Sequence, residues 1–159
     1  MADPDESRWA EILGSNGDVD WQIIWIVPSA GEAALDGFMG TVAAANNAHC
    51  WGMYHFRKLS GTFSGIDVAA NQSNNTKTSP SVTTTTASSI VLSFWGADTT
   101  SAFTACSNFD FTGGSGETVA GRNIQGGWAW KAVASSASGS STATGGATTD
   151  AIAVQIAFK

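Results

Sequence analysis

Apolar residues recur at every second position through much of this chain. Val19, Trp21, Ile23, Trp25 and Val27 share one side of an extended segment, with Asp20 and Gln22 on the other, the period-two signature of a half-buried strand. Ile24 and Ile26 break the polar side, so the second half of that strand is expected to be covered on both faces, and residues 28–31 end it. A short strand over residues 8–13 precedes it and stops at the turn cluster Gly14-Ser15-Asn16-Gly17, where glycine supplies positive φ at little cost. Over residues 35–44 the signals conflict. Glu32-Ala33-Ala34-Leu35 favours a helix, Gly37 and Gly40 weaken any helix that continues, and strand is the reading adopted. His49, Trp51, Met53, His55 and Arg57 then alternate with Cys50, Gly52, Tyr54, Phe56 and Lys58, which predicts a long central strand carrying large side chains on both faces.

The second half is richer in hydroxyls. A strand over 64–70 is followed by a polar Asn/Ser loop over 71–79, then by a threonine ribbon at 81–86 and an apolar strand at 90–96. Only Ala87-Ser88-Ser89 separates these two, so they form either a hairpin or one bent strand. Together they are expected to pair with the aromatic strand around Trp51. Residues 103–111 read as a strand broken by Gly113-Gly114-Ser115-Gly116, and Trp128, Trp130 and Ala132 mark another over 126–133. The Ser/Gly/Ala/Thr stretch 135–149 has the composition of a linker, yet a strongly apolar strand (Ile152, Val154, Ile156, Phe158) follows and must be anchored, which favours a strand plus a turn. About ten short strands with turns roughly every eight to twelve residues predict an all-β, antiparallel β-sandwich or jelly-roll-like domain over residues 8–159. Residues 1–7 read as an acidic N-terminal arm, since Pro4 interrupts a helix and no apolar residue anchors the chain before Trp9.

Composition narrows the class. A chain of 159 residues is long enough for one domain to bury roughly 70% of its unfolded surface. Only 13% of its residues are charged, so its surface is expected to be polar but electrically quiet. The net charge of -6 opposes nucleic acid and anionic membranes, whose binding depends on clustered Lys and Arg. The acidic start lacks the basic and apolar regions of a signal peptide, and no segment reaches the roughly 18 apolar residues of a membrane span. Folding in a cytoplasm is the simplest expectation. Cys50 and Cys106 lack zinc-ligand spacing, and a reducing compartment favours two separate buried thiols over a disulfide.

The search for chemistry returns little. There is no nucleophile elbow, phosphate loop, zinc-helix motif or EF-hand loop, and Gly113–Gly116 reads as a turn. His49 and His55 would lie about 20 Å apart along one strand, too far to share a metal, so structural roles are expected. Asp67, Asp98, Asp110, Glu117 and Asp150 would make a glycosidase pair only if two of them stood about 5 to 9 Å apart across a cleft; at strand ends, aspartates more often bond turn N–H groups. The seven tryptophans are the sharpest binding signal. Burying one ring yields about 5 kcal/mol, which makes core or subunit interface the default, with Trp9 and Trp95 the candidates to face a partner. The glycosylation patterns at Asn71 and Asn74 matter only in a secreted eukaryotic protein. No cofactor and no metal are expected.

Three stretches carry a resemblance: residues 53–68 (Met-Tyr-His-Phe-Arg-Lys-Leu-Ser-Gly-Thr-Phe-Ser-Gly-Ile-Asp-Val), residues 81–92 (Ser-Val-Thr-Thr-Thr-Thr-Ala-Ser-Ser-Ile-Val-Leu) and the terminal Ala-Ile-Ala-Val-Gln-Ile-Ala-Phe of 151–158. In texture and strand order the chain from Trp9 to Lys159 resembles the small β-sandwich domains of tailed-bacteriophage virions. The resemblance implies a non-enzymatic virion component assembled in the host cytoplasm. Its expected role is capsid decoration or cement, with the major capsid protein and copies of itself as partners. The alternative it implies is a glycan-binding receptor module of a tail or head fibre. Trp9, Trp95 and the arm residues Asp3, Asp5 and Glu6 are the candidate contacts.

Overall fold

The computed structural model describes residues 9–16, 19–26, 37–44, 48–55, 66–119 and 122–159. These residues form strands, turns and extended segments, with no helix among them. β1 (Trp9–Asn16), β2 (Val19–Ile26), β3 (Gly37–Ala44) and β4 (Ala48–His55) make an antiparallel meander in chain order. β5 (Ile66–Asn74), β7 (Ser89–Asp98), β9 (Asp110–Val119), β10 (Arg122–Val133) and β12 (Ala151–Phe158) build a five-stranded antiparallel sheet in the order β5-β12-β7-β10-β9. β6 (Thr78–Ser79), β8 (Phe103–Cys106) and β11 (Ser141–Gly145) form a small sheet in the order β6-β11-β8. The architecture is an antiparallel β-sandwich.

The five-stranded sheet is the middle layer. Strands β7 and β12 are buried along nearly their whole length, which requires cover on both faces. One face carries Val91, Trp95, Ala97, Ala129, Val133, Ala151, Ala153 and Ala157, and meets Val82, Phe103, Phe109 and Ala143 from the three-stranded side. The other face carries Leu92, Phe94, Ile124, Trp128, Ile152, Val154, Ile156 and Phe158, all buried. Over it run the four N-terminal strands, β1 beside β12, β2 beside β7, β3 and β4 beside β10, and β4 beside β9. Val19, at the start of β2, is fully buried.

Small residues on the first face make room for large ones. Trp95 lies between Ala153 of β12 and Gly127 of β10 in the sheet register, so its indole spreads over neighbours that project little or nothing. Phe103 reaches the same layer from β8. A Cβ added at Gly127 would stand 2.7 Å from the Phe103 Cβ, and one at Gly146, where φ is +63°, would run into the Phe103 ring. Two glycines far apart in sequence therefore shape a single phenylalanine socket.

A polar cluster crosses the same core. Gln155 of β12, fully buried, donates through Nε2 to Ser79 Oγ at 3.0 Å and to the Gly139 carbonyl at 3.0 Å, and accepts from Ser138 Oγ at 2.6 Å. Ser79 Oγ also lies 2.7 Å from Ser93 Oγ. Ser138 Oγ in turn accepts the Val82 N–H at 3.1 Å. Every polar atom of the carboxamide is matched, which removes the desolvation penalty that an orphaned group would carry.

Several expectations change. The ribbon 81–86 is not a ladder strand: its one bridge is Thr83 with Ala137, and its backbone is tied to the 134–138 segment through Thr84 N to Ser136 O and Ser138 N to Val82 O. The threonine hydroxyls explain this, because Thr84 Oγ1 bonds the Ala134 and Ser136 carbonyls where a ladder partner would otherwise stand. The apolar strand after it pairs with β12 and β10, while the Trp51 strand pairs with β3. The polar loop 71–79 is largely strand, since β5 runs to Asn74. The glycine run 113–116 lies inside β9 and pairs with β10, with a bulge opposite Trp128 and Ala129 and Gly113 at φ +139°. The strand expected over 103–111 is accordingly split into β8 and β9. The strand-plus-turn reading of 135–149 matches β11 and the turn that follows it. Residues 1–7 lie outside the described residues.

Candidate functional surface

The sequence candidates separate cleanly. Asp3, Asp5 and Glu6 lie outside the described residues. Trp9 opens β1 opposite Ile26, and its side chain is likewise outside the description. Trp95 is corrected: it is fully buried against the three-stranded layer, so it is a core residue and not a contact residue. The reason is its register, which sets it between Ala153 and Gly127 in the middle layer. Its indole Nε1 has no hydrogen-bond partner, and neither has that of Trp128. Both rings are retained for the apolar area they bury, against the cost of an unpaired N–H.

Among the described tryptophan side chains, Trp130 alone is partly exposed. It stands opposite Leu92 in β7, and the next row places half-buried Ile90 opposite exposed Ala132. Ile90, Trp130 and Ala132 form an apolar strip where β7 begins and β10 ends. The sequence signal was present in the alternation of Trp128, Trp130 and Ala132, but alternation alone does not say where along a strand the covering layer stops.

One carboxylate fastens a turn. Asp67, at the start of β5, accepts hydrogen bonds from Thr85 N (2.9 Å), Thr85 Oγ1 (2.6 Å), Thr86 N (3.3 Å), Thr86 Oγ1 (2.9 Å) and Ser89 Oγ (2.9 Å). Burial pushes its pKa up, and the bonds from Thr85, Ser89 and Thr86 outweigh that and hold the carboxyl well below the usual carboxylate range. Asp98 Oδ1 accepts the Asn123 N–H at 3.3 Å, and the Asp98 N–H donates to the Asp150 carbonyl at 3.2 Å. Asp150 sits in the turn before β12 with φ +46°. Asp110 and Glu117 are exposed on β9.

Of the two cysteines, Cys106 is a half-buried free thiol that donates to the Phe109 carbonyl at 3.4 Å. Burial, reinforced by the negative charge of Asp110, pushes it up, which disfavours the nucleophilic thiolate. Cys50, His49 and His55 occupy β4 opposite Val42, Ala43 and Gly37. Among the described residues no group of three or more His, Cys, Asp and Glu side chains could hold a metal ion, and no helix is long and apolar enough to cross a membrane.

The loops are closed by one ammonium and by neutral amide and hydroxyl groups. Lys131 Nζ donates to Asn108 Oδ1 at 2.9 Å and to the Ser138 carbonyl at 3.0 Å, 5.6 Å from the centre of the Phe109 ring. Asn108 Nδ2 donates to the carbonyls of Ser138 and Ser140. On the outer side of the three-stranded sheet, Thr78 Oγ1 and Thr142 Oγ1 bond each other at 2.9 Å. The described loops thus present hydroxyls and amides bonded to one another and to backbone, with the Ile90, Trp130 and Ala132 strip as an apolar interruption. No family model, no curated protein and no solved structure matches this chain.

Proposed function

We propose that the chain is a non-enzymatic structural protein of a tailed-phage virion that decorates the capsid, binding the major capsid protein and further copies of itself. The observation that carries this reading is the way the turns are fastened. Hydroxyl, amide, ammonium and carboxylate side chains tie segments 81–86, 107–109 and 134–140 to one another and to the sheets, which suits a durable module displayed on a particle. The Ile90, Trp130 and Ala132 strip supports a contact role, because an amphipathic aromatic ring beside small apolar residues is a common interface anchor. Asp3, Asp5, Glu6 and Trp9 belong to the same proposal as a second point of attachment.

Sedimentation with capsid shells that lack the protein tests it. The purified chain is expected to co-sediment at saturating, symmetric copy number, and Trp130→Ala to weaken that association while the variant stays folded. Association that is absent, or that Trp130→Ala leaves unchanged, counts against the proposed role or the proposed face respectively. The fibre alternative rests on the same ring: an exposed indole also stacks on sugars. Tryptophan fluorescence that responds to a host glycan, with no shell binding, would favour it.

A further inference from the structure

The five donors that meet Asp67 form a site in their own right. All are neutral, and all come from the short stretch 85–89: two successive backbone N–H groups, two threonine hydroxyls and one serine hydroxyl. They divide by oxygen. The two threonine hydroxyls address Oδ1, while the two N–H groups and Ser89 address Oδ2. Such convergence of consecutive N–H groups with hydroxyls is how proteins hold an anion without a cation.

The stretch is also held from its far side, by bonds that do not involve Asp67. Thr84 N donates to the Ser136 carbonyl, Thr84 Oγ1 bonds the Ala134 and Ser136 carbonyls, Ser136 N donates to Thr84 Oγ1, and Ser135 Oγ donates to the Thr85 carbonyl. Ser89, fully buried, opens β7 opposite Val133. Thr85 and Ser89 are therefore held by the fold as well as by the carboxylate they bind, and Ser89 Oγ lies 3.1 Å from the Thr86 carbonyl. From this arrangement we propose that the 85–89 turn is a carboxylate-binding cradle whose resident ligand is the Asp67 side chain, and which takes up a small free carboxylate when that side chain is removed. The planar, two-oxygen shape of the resident group defines the ligand class, with formate and acetate as the smallest members.

The test is chemical rescue of Asp67→Ala. Formate at ten times its dissociation constant is expected to raise the folded-to-unfolded ratio of that variant about tenfold by mass action, against chloride at equal ionic strength. Wild type should show no such response, because its cradle is filled, and inorganic phosphate should act more weakly than formate. Adding Thr85→Val and Thr86→Val to Asp67→Ala should abolish the rescue. An Asp67→Ala chain that formate does not stabilise, or a formate effect equal in wild type and variant, overturns the proposal. A measurement on the unaltered chain guards against a variant that fails to fold. The Thr85 and Thr86 amide proton resonances should follow a single carboxyl titration with its midpoint below that of an ordinary aspartate, and amide shifts indifferent to that titration would overturn the cradle equally.

Discussion

Gln155 Nε2 donates to Ser79 Oγ at 3.0 Å and so joins the middle layer to the three-stranded sheet across 76 positions of sequence. An apolar core would have sufficed to bury the area between these layers. The carboxamide adds direction: its bonds to Ser79, Ser138 and Gly139 are met only in one register of β12 against its neighbours.

Gln155→Leu preserves approximate volume and removes all three bonds. Unfolding in urea should show a loss of about 1–3 kcal/mol for each buried partner left without a replacement. A variant as stable as wild type would mean that the serines find new partners on their own.

Gly127 and Phe103 should be energetically coupled, because a Cβ at Gly127 would stand 2.7 Å from the Phe103 Cβ. Gly127→Ala alone is expected to cost about 1–3 kcal/mol through overpacking. Phe103→Gly removes that Cβ together with the ring, so the double variant should be more stable than the sum of the two losses predicts. Strict additivity would place the strain elsewhere.

Two tryptophans should behave oppositely. Trp95→Ala empties a fully buried site and should cost about 3–5 kcal/mol, whereas Trp130→Ala, at a half-exposed position, should cost much less and act mainly on shell binding. Thermal unfolding of the two variants side by side distinguishes core from contact. Equal losses would erase the distinction drawn between them.

Asp67 gives the fold an acid-sensitive contribution. Its folded-state pKa lies below the ordinary value of 3.8, so the unfolded chain binds a proton more readily than the folded one. The contribution is therefore full above the ordinary aspartate range and is lost as the pH falls from about 4 downward. The stability gap between wild type and Asp67→Asn, read from urea midpoints, should be constant from pH 7 to about 5 and narrow in stronger acid. A gap that widened on acidification would contradict the sign of the shift.

Much of the β-sheet framework was legible from alternation. β2, β7, β10 and β12 fall where period-two patterns or apolar runs place them, and β3 falls where conflicting signals resolve as strand; β4 forms where alternation puts it but stands at the edge of the four-stranded sheet and not at its centre. The threonine ribbon misled, since β-branched alternation also suits an extended segment whose hydroxyls bond backbone instead of water. The glycine run in β9 misled in the other direction. Glycine usually interrupts a strand, but here a Cβ at Gly114 would stand 2.6 Å from the Gly126 carbonyl oxygen and 3.2 Å from that of Phe103, so bare backbone is what the close approach of β8 and β10 requires. Trp95 was misplaced because exposure depends on a second layer that no local pattern encodes. The Asp67 cradle was invisible for the same reason, since its parts lie 18 to 22 residues apart and only the turn at 85–89 brings them together.

The central claim is that this β-sandwich is carried on a phage shell as a passive surface component. An electron-microscopy reconstruction of the assembled particle tests it most directly. The account predicts density for the sandwich at repeated positions of the capsid lattice, with the Trp130 end of β10 against the shell or a neighbouring copy. Density confined to the tail, or particles that contain none of this chain, would contradict it.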